Sequence, residues 1–316
     1  MMKQKTIKES FSLNGKGLHS GLKTTITFHP APVDSGYSIK RVDMAGKPVI
    51  AALAENVKHT QRCTLLSVDG VEVATIEHAL AALYGCDIDN CLIEIDSPEF
   101  PILDGSSIAY VEQIQRVGVT VQAKERLYLE VEEPIEYLDA ETGSYLKLLP
   151  SDEFAVEVQI AFDSAVLPVQ HATLEHLSDF VGEISMCRTF VFIKEIEQLL
   201  KHGLIKGGDL NNAIVINDQL IEQQEIDRLA DIMGIERKNI NKMGYVMNKP
   251  LVYVNEPARH KLLDVIGDVA LVGRFIKGKI IAYRPGHRVN NLFARKIVEQ
   301  METESVFEMR EKRVLV

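Results

Sequence analysis

The sequence predicts an α+β protein of two similar domains, each with a β-sheet layered against α-helices. Two observations predict this fold. Both halves of the chain run strands, helix, strand, helix, an order typical of α+β units. At roughly 150 residues per domain, a chain of 316 residues has room for two. Because the pattern resets around 119–126, we assign the domains to 1–125 and 126–301, and 302–316 to a tail or linker.

The N-terminal half begins with strands and then alternates strands with helices. Alternation of polar and apolar residues and the turn signals between the runs indicate half-buried strands. In the first helix, Thr75 suits the N-cap position and Gly85 the C′ position. The predicted strands are 24–28, 35–42, 71–74 and 90–95, and the predicted helices are 75–85 and 106–116.

The C-terminal half repeats this order with additional helices. The predicted strands are 127–131, 145–149, 154–162 and 276–283, and the predicted helices are 173–180, 192–202, 222–233, 258–272 and 290–301. Helix 222–233 belongs to an extra helical segment over about 218–250. An apolar stripe in helix 192–202 indicates core packing or a ligand channel, and core packing is the simpler reading.

Composition excludes several classes of function. The 35 Lys and Arg against 45 Asp and Glu give a net charge of −10, which argues against a broad surface for duplex nucleic acid or anionic membranes. The chain has no Trp and only 6% aromatic residues, which argues against a stacking platform for single-stranded nucleic acid. It has no apolar run long enough to span a bilayer, so we expect no stable membrane insertion. Its four cysteines form no C-x-x-C pair, which indicates thiols in a reducing cytoplasm.

Two short patterns offer metal ligands. His260 and Asp264 are four residues apart in a predicted helix, so they share one face, and Asp268 extends that face by a turn. Glu77 and His78 lie in an otherwise apolar helix, where a buried charge needs a partner. Nitrogen and carboxylate ligands with a nearby base suit metal-assisted hydrolysis. Taken singly, these patterns also fit a solvated helix face and a core histidine.

A third pattern follows the strand 276–283. Arg284 and His287 lie in a predicted turn, where an arginine can bind phosphate and a histidine can act as a general acid. Taken by itself, this pattern is explained better by a surface loop without function.

The order of six sequence blocks resembles one family, the zinc-dependent UDP-3-O-acyl-N-acetylglucosamine deacetylases of lipid A biosynthesis. The blocks are GKGLHSG at 15–21, TIEH at 75–78, PILDGS at 101–106, RTF at 188–190, RHKLLDVIGD at 259–268 and GH at 286–287. The resemblance covers about residues 3–300. It implies two α+β domains with the active site at their junction, and hydrolysis of the substrate's N-acetyl group.

The resemblance also implies the roles of the site residues. His78, His260 and Asp264 would bind Zn²⁺, and Glu77 would be the general base that activates water. Thr189 would stabilise the oxyanion together with the metal.

His287 resembles the family's general acid, and Asp268 would orient it. Whether His287 or Glu77 protonates the leaving amine stays open at this point.

The substrate implied by the resemblance is an acylated UDP-amino sugar. Lys261 and Arg284 resemble the family's cationic contacts to its anionic end, and Phe190 would lie beside the sugar or the base. An insertion at about 190–216 matches the family's hydrophobic passage for the acyl chain. The residues implied as its walls are Leu18, Phe192, Ile196, Leu199, Ile205 and Val215.

Two further expectations follow from the resemblance. Some relatives are fused to a hydroxyacyl dehydratase, so such a fused or associated partner is expected.

A nucleotide-sugar binding protein without activity would not need Glu77, Thr189 and His287, and a purely structural protein would bind no metal.

Overall fold

A computed structural model describes residues 2–240 and 242–314, with side chains described as far as residue 301. The described residues form an α+β protein with five sheets and seven α-helices, in agreement with the predicted class. The strands are β1 Lys3–Ile7, β2 Phe11–Lys16, β3 Lys23–Pro30, β4 Tyr37–Arg41, β5 Val49–Ala51, β6 Val57–His59, β7 Leu65–Val68, β8 Val71–Ala74, β9 Cys91–Ile95, β10 Val119–Glu125, β11 Leu129–Glu130, β12 Ile135–Asp139, β13 Ser144–Leu149, β14 Phe154–Ile160, β15 Gln170–Leu174, β16 Phe190–Phe192, β17 Ile214–Asn217, β18 Gly244–Val246 and β19 Ile276–Tyr283. The helices are α1 Glu77–Gly85, α2 Ile108–Val117, α3 Phe180–Glu183, α4 Ile193–Lys201, α5 Gln223–Met233, α6 Glu256–Val269 and α7 His287–Val314.

Two large sheets form the framework. The first has the order β2-β3-β9-β4-β5, and the second has the order β12-β13-β19-β14-β15 with β11 paired to β19. In β19 every second side chain is buried, as expected for a strand with one face against helices. Helix α6 packs against β14 and β15, and α1 packs against both α6 and α2. The helices α1 and α6 therefore lie between elements of the two halves.

The contact between α1 and α6 is close because of a glycine. All nine residues of α1 are buried. A Cβ atom added to Gly267 in α6 would lie 2.1 Å from the carbonyl oxygen of Glu77 in α1. Glycine at this position allows the two backbones to approach as they do.

A smaller unit projects from this framework. Strands β16, β17 and β18 form a three-stranded sheet, and α4 and α5 lie beside it. Apolar side chains of α4 and α5 make a hydrophobic cluster separate from the main core. This unit contains the segments predicted as the passage insertion and the extra helix.

The boundary near residue 125 stays a proposal, supported by strand pairing. β10 pairs with β1, whereas β11, which follows it, pairs with β19 in the second large sheet. Among the residues described, none of the helices combines the length and the apolar composition needed to cross a bilayer.

Three predicted helix features are wrong. Residues 170–174 form β15, which pairs with β14, and only a 3₁₀ turn and the four-residue α3 follow, so the predicted helix 173–180 is absent from this stretch. Thr75 does not cap α1: its φ is +59°, and its hydroxyl donates to Glu99 instead. Gly85 lies within α1, where a Cβ would be 2.1 Å from the ring of Phe180.

The closing helix differs at both ends from its prediction. α7 begins at His287, which the sequence placed in a loop, and runs to Val314 rather than ending at residue 301. The predicted tail or linker at 302–316 is therefore helical to Val314, and residues 315 and 316 lie outside the described residues.

Candidate metal centre and the cavities beside it

Three side chains from α1 and α6 converge in the centre of the protein. His78 comes from α1, and His260 and Asp264 lie one turn apart on α6. Each offers one ligand atom, and these atoms lie within 4.8 Å of one another. Asp264 Oδ1 is 3.4 Å from His260 Nε2 and 3.9 Å from His78 Nε2. Two imidazoles and a carboxylate form a donor set that zinc accepts in hydrolytic sites.

Neighbouring groups orient these side chains. His260 Nδ1 lies 3.0 Å from the carbonyl oxygen of Cys187, so Nδ1 donates to it and the lone pair of Nε2 faces the cluster. Lys261 Nζ donates to Asp264 Oδ2 at 2.8 Å and leaves Oδ1 for the centre of the cluster.

One oxygen of the ligand cluster lacks the partner that a cation would supply. Asp264 Oδ1 is buried and has no hydrogen-bond partner among the described residues. An unpaired buried carboxylate oxygen is costly. A divalent cation between Asp264, His78 and His260 would satisfy it.

The pKa values of the three groups favour metal-binding forms. Burial, with the nearby His260, lowers the pKa of His78 to about 3, and burial also lowers the pKa of His260. Both imidazoles are therefore neutral at pH 7 and keep a lone pair. Burial opposes ionisation of Asp264, but Lys261 and the surrounding histidines hold its pKa below the usual range.

A second group of side chains lies beside the cluster. Glu77 Oε1 is 3.8 Å from His287 Nε2, and Glu77 Oε2 accepts the backbone N–H of Thr64 at 3.1 Å. His287 Nδ1 is 2.9 Å from Asp268 Oδ2. Asn290 donates to the same Asp268 oxygen, so the buried Asp268 is fixed in place.

The carboxylate and the imidazole of this group have shifted pKa values. Burial raises the pKa of Glu77 to about 7, and the charges of Asp268 and Asp264 add to the effect. Burial alone would lower the pKa of His287, but the negative charges of Asp268, Glu77 and Asp264 raise it to about 9. At neutral pH the site therefore contains a protonated imidazole beside a carboxyl group whose pKa is close to the pH.

These groups border a polar cavity. Most of the predicted site residues line this cavity. Thr189, Phe190, Lys261, Arg284 and His287 all border it. The polar cavity is lined by Leu18, Thr60, Arg62, Thr75, Glu77, His78, Ile102, Thr142, Ser144, Thr189, Phe190, His260, Lys261, Asp264, Arg284, Gly286, His287, Arg288 and Val289.

An apolar cavity adjoins the polar one. Four residues border both cavities: Leu18, Arg62, Thr189 and Phe190. The predicted passage residues Leu18, Ile196, Leu199, Ile205 and Val215 line the apolar cavity, together with Val191 and residues of α5.

Phe192 is an exception among the predicted passage residues. It lines neither cavity and belongs to the main core, where its ring packs 5.3 Å from the ring of Phe162. The substrate contact of Phe192 stays a prediction, and the position of this side chain in the main core does not support it.

Several residues beside the site carry no recognisable sequence signal. Arg62 borders both cavities and forms an ion pair of 2.7 Å with Glu195 of α4. Thr64 and Asn290 fix Asp268, and no periodicity or motif marked them.

The chain is similar to a known family of deacetylases. A family model described as UDP-3-O-acyl N-acetylglycosamine deacetylase matches residues 4–233 and 236–299. The bifunctional enzyme LpxC/FabZ of Porphyromonas gingivalis is 56% identical over 302 residues, which are 96% of this chain and 65% of that protein. The protein of the same name in Bacteroides thetaiotaomicron is 52% identical over 97% of this chain and 66% of its own length.

A third relative has a shorter sequence. The UDP-3-O-acyl-N-acetylglucosamine deacetylase of Syntrophus aciditrophicus is 36% identical over 301 residues, which are 95% of this chain and 87% of that protein. The chain thus spans slightly less than two thirds of the bifunctional relatives and most of this one.

Proposed function

Because the chain belongs to the UDP-3-O-acyl N-acetylglycosamine deacetylase family, we propose that it hydrolyses the N-acetyl group of UDP-3-O-acyl-N-acetylglucosamine. The products are acetate and the free 2-amine, and the reaction is a step of lipid A biosynthesis. The observation that carries the proposal is the unpaired Asp264 Oδ1, which faces two neutral imidazoles beside an acid/base pair. A polar cavity that adjoins an apolar one also suits a nucleotide sugar with an acyl chain.

We propose Zn²⁺ as the cofactor, held by His78, His260 and Asp264. The carbonyl of Cys187 and the ammonium group of Lys261 support these ligands as outer contacts. When bound, zinc polarises the amide carbonyl and makes water a stronger acid.

Glu77 and His287 move the protons in this proposal. Glu77 takes a proton from the attacking water at Oε1, the oxygen that is not held by the Thr64 N–H. His287 carries a proton at Nε2, 3.8 Å from that oxygen, and donates it to the leaving amine. Asp268 accepts a hydrogen bond from Nδ1 and stabilises the imidazolium.

The remaining predicted residues bind the substrate. Thr189 lies where the two cavities meet, and its side chain can donate to the oxyanion. Lys261 and Arg284 supply positive charge in the polar cavity for the diphosphate, and the ring of Phe190 lies 5.6 Å from Lys261 Nζ.

Release of acetate from the substrate tests this function. Glu77→Gln should retain bound zinc and lose most of its turnover, because the amide cannot accept the proton, whereas Glu112→Gln on an exposed face of α2 should retain both. A chelator should remove zinc and turnover together. Normal zinc content in the unaltered protein without any acetate release would refute the activity.

We also propose a partner and a compartment. Two relatives are bifunctional LpxC/FabZ enzymes, which supports action together with a fused or associated hydroxyacyl dehydratase. The four cysteines are free, and burial raises the pKa of the Cys91 thiol to about 12. Unreactive, unpaired thiols fit the cytoplasm.

A further inference from the structure

The apolar cavity is bordered in one part by residues that it shares with the polar cavity and in another part by α5. The four residues that border both cavities come from outside α5, and no α5 residue borders the polar cavity. The side of the apolar cavity that α5 lines is therefore the side away from the metal centre.

Four side chains of α5 form this boundary, which we call the α5 wall. Ile226, Leu229, Ala230 and Met233 line the cavity from one helix face, at the spacing expected of an amphipathic helix. On the opposite face of α5, Ile232 is 53% exposed. The wall packs on the apolar face of α4 in the cluster that is separate from the main core.

Polar contacts hold the α5 wall in position. Arg228 of α5 lies 3.1 Å from Glu197 of α4. The side chain of Gln223 donates to the carbonyl of Lys238 and accepts the N–H of Ile240, so the chain after α5 is tied back to the start of the helix. These contacts make α5 a fixed side of the cavity.

The segment that follows α5 also lines the cavity, with the apolar Ile235 and Ile240 and with two charged residues. Glu236 and Lys238 also line it, and their charged groups are 3.7 Å apart in an exposed position. The end of a hydrocarbon chain that reached Glu236 and Lys238 would meet charged groups and water, where further methylenes gain little from burial.

We propose that the α5 wall sets the length of the acyl chain that the protein accepts. The occupant is the single 3-O-acyl chain of the substrate, because the apolar cavity adjoins the polar cavity at Leu18, Arg62, Thr189 and Phe190. This inference rests on the proposed function. Chain length is selected because each methylene that is buried within the wall improves binding roughly fourfold.

Two variants of the α5 wall test the inference in opposite directions. Met233→Ala removes the Cγ, Sδ and Cε atoms and leaves room for about two more methylenes. The preference for the longer of two substrates that differ by two carbons should rise on the order of tenfold. Ala230→Phe fills the cavity and should reduce kcat/KM for long chains while short chains are still turned over. Ile232→Ala, on the outer face of the same helix, is the matched control and should keep the original profile.

The assay measures kcat/KM for acetate release over substrates whose acyl chains lengthen two carbons at a time. Calorimetric binding of the same series to each protein gives a readout that does not need turnover. Unchanged chain-length profiles in both wall variants, with folding verified by circular dichroism, would overturn the inference. Absence of acetate release for every chain length in the unaltered protein would instead refute the proposed function, and the binding profiles would still decide the role of α5.

Discussion

Gly267→Ala should separate the two helices that carry the candidate metal ligands. The new methyl group would lie 2.1 Å from the carbonyl oxygen of Glu77 and 2.8 Å from its carbonyl carbon. Both atoms belong to the backbone of a fully buried helix, so they cannot rotate away as a side chain would. The variant therefore changes the distance between α1 and α6 directly.

The size of the effect follows from these distances. Cβ atoms essentially never approach a heavy atom closer than 3.0 Å, so α1 and α6 must move apart by about 1 Å. Overpacking of this kind lowers the free energy of unfolding by about 1–3 kcal/mol. His78 follows Glu77, and Asp264 lies one turn before Gly267, so their ligand atoms separate too. We expect metal affinity to fall by about 10–100-fold and kcat/KM by about 100-fold.

Three measurements check this reasoning. Competition with a chromogenic chelator gives the metal affinity, urea unfolding of the metal-free protein gives the stability, and acetate release gives kcat/KM. Gly182→Ala in α3 is the control, because a Cβ at that position meets no atom within 4 Å. If Gly267→Ala bound metal as tightly as the unaltered protein, the close contact would not control the site, and the reasoning would fail.

The pH dependence of kcat/KM should be bell-shaped: the rate rises as Glu77, whose pKa is raised to about 7, loses its proton, and falls as His287, whose pKa is raised to about 9, loses its own. A bound cation favours the ionised form of Glu77 and opposes the imidazolium form of His287. Both limbs of the metal-loaded enzyme are therefore expected at or below these pKa values. A rate independent of pH would contradict the assignment. Asp268→Asn removes a charge that raises the pKa values of both His287 and Glu77, so both limbs should move to lower pH. Arg188→Met leaves the buried Glu256 carboxylate without its bidentate partner and should lower the free energy of unfolding in urea by about 3–5 kcal/mol; a loss below 1 kcal/mol would contradict this.

Local sequence patterns predicted the fold where an element has its own periodicity. The strand 276–283 was predicted with the bounds it has, because its alternation continues over eight residues. The stretch 173–180 was predicted as a helix, but its first residues belong to β15. β15 pairs with β14, and such pairing depends on residues distant in the chain.

The site was predictable only in part for a related reason. The spacing of His260 and Asp264 on one helix is local information, and it placed both side chains on one face. Their meeting with His78 depends on the α1–α6 contact, and the sequence suggested it only through the resemblance to a family. Arg62 borders both cavities from a loop, where its φ of +66° and its ion pair with Glu195 are tertiary features.

The contact between α1 and α6 links metal binding to the stability of the fold. His78 belongs to the first half of the chain, and His260 and Asp264 belong to the second, so an ion shared by them would act as a removable cross-link between distant segments. Since the unfolded chain cannot present this cluster, occupancy draws the equilibrium toward the native state, by about 2.7 kcal/mol when free metal is 100 times its dissociation constant. Metal supply would then govern how long the protein survives heat and proteolysis.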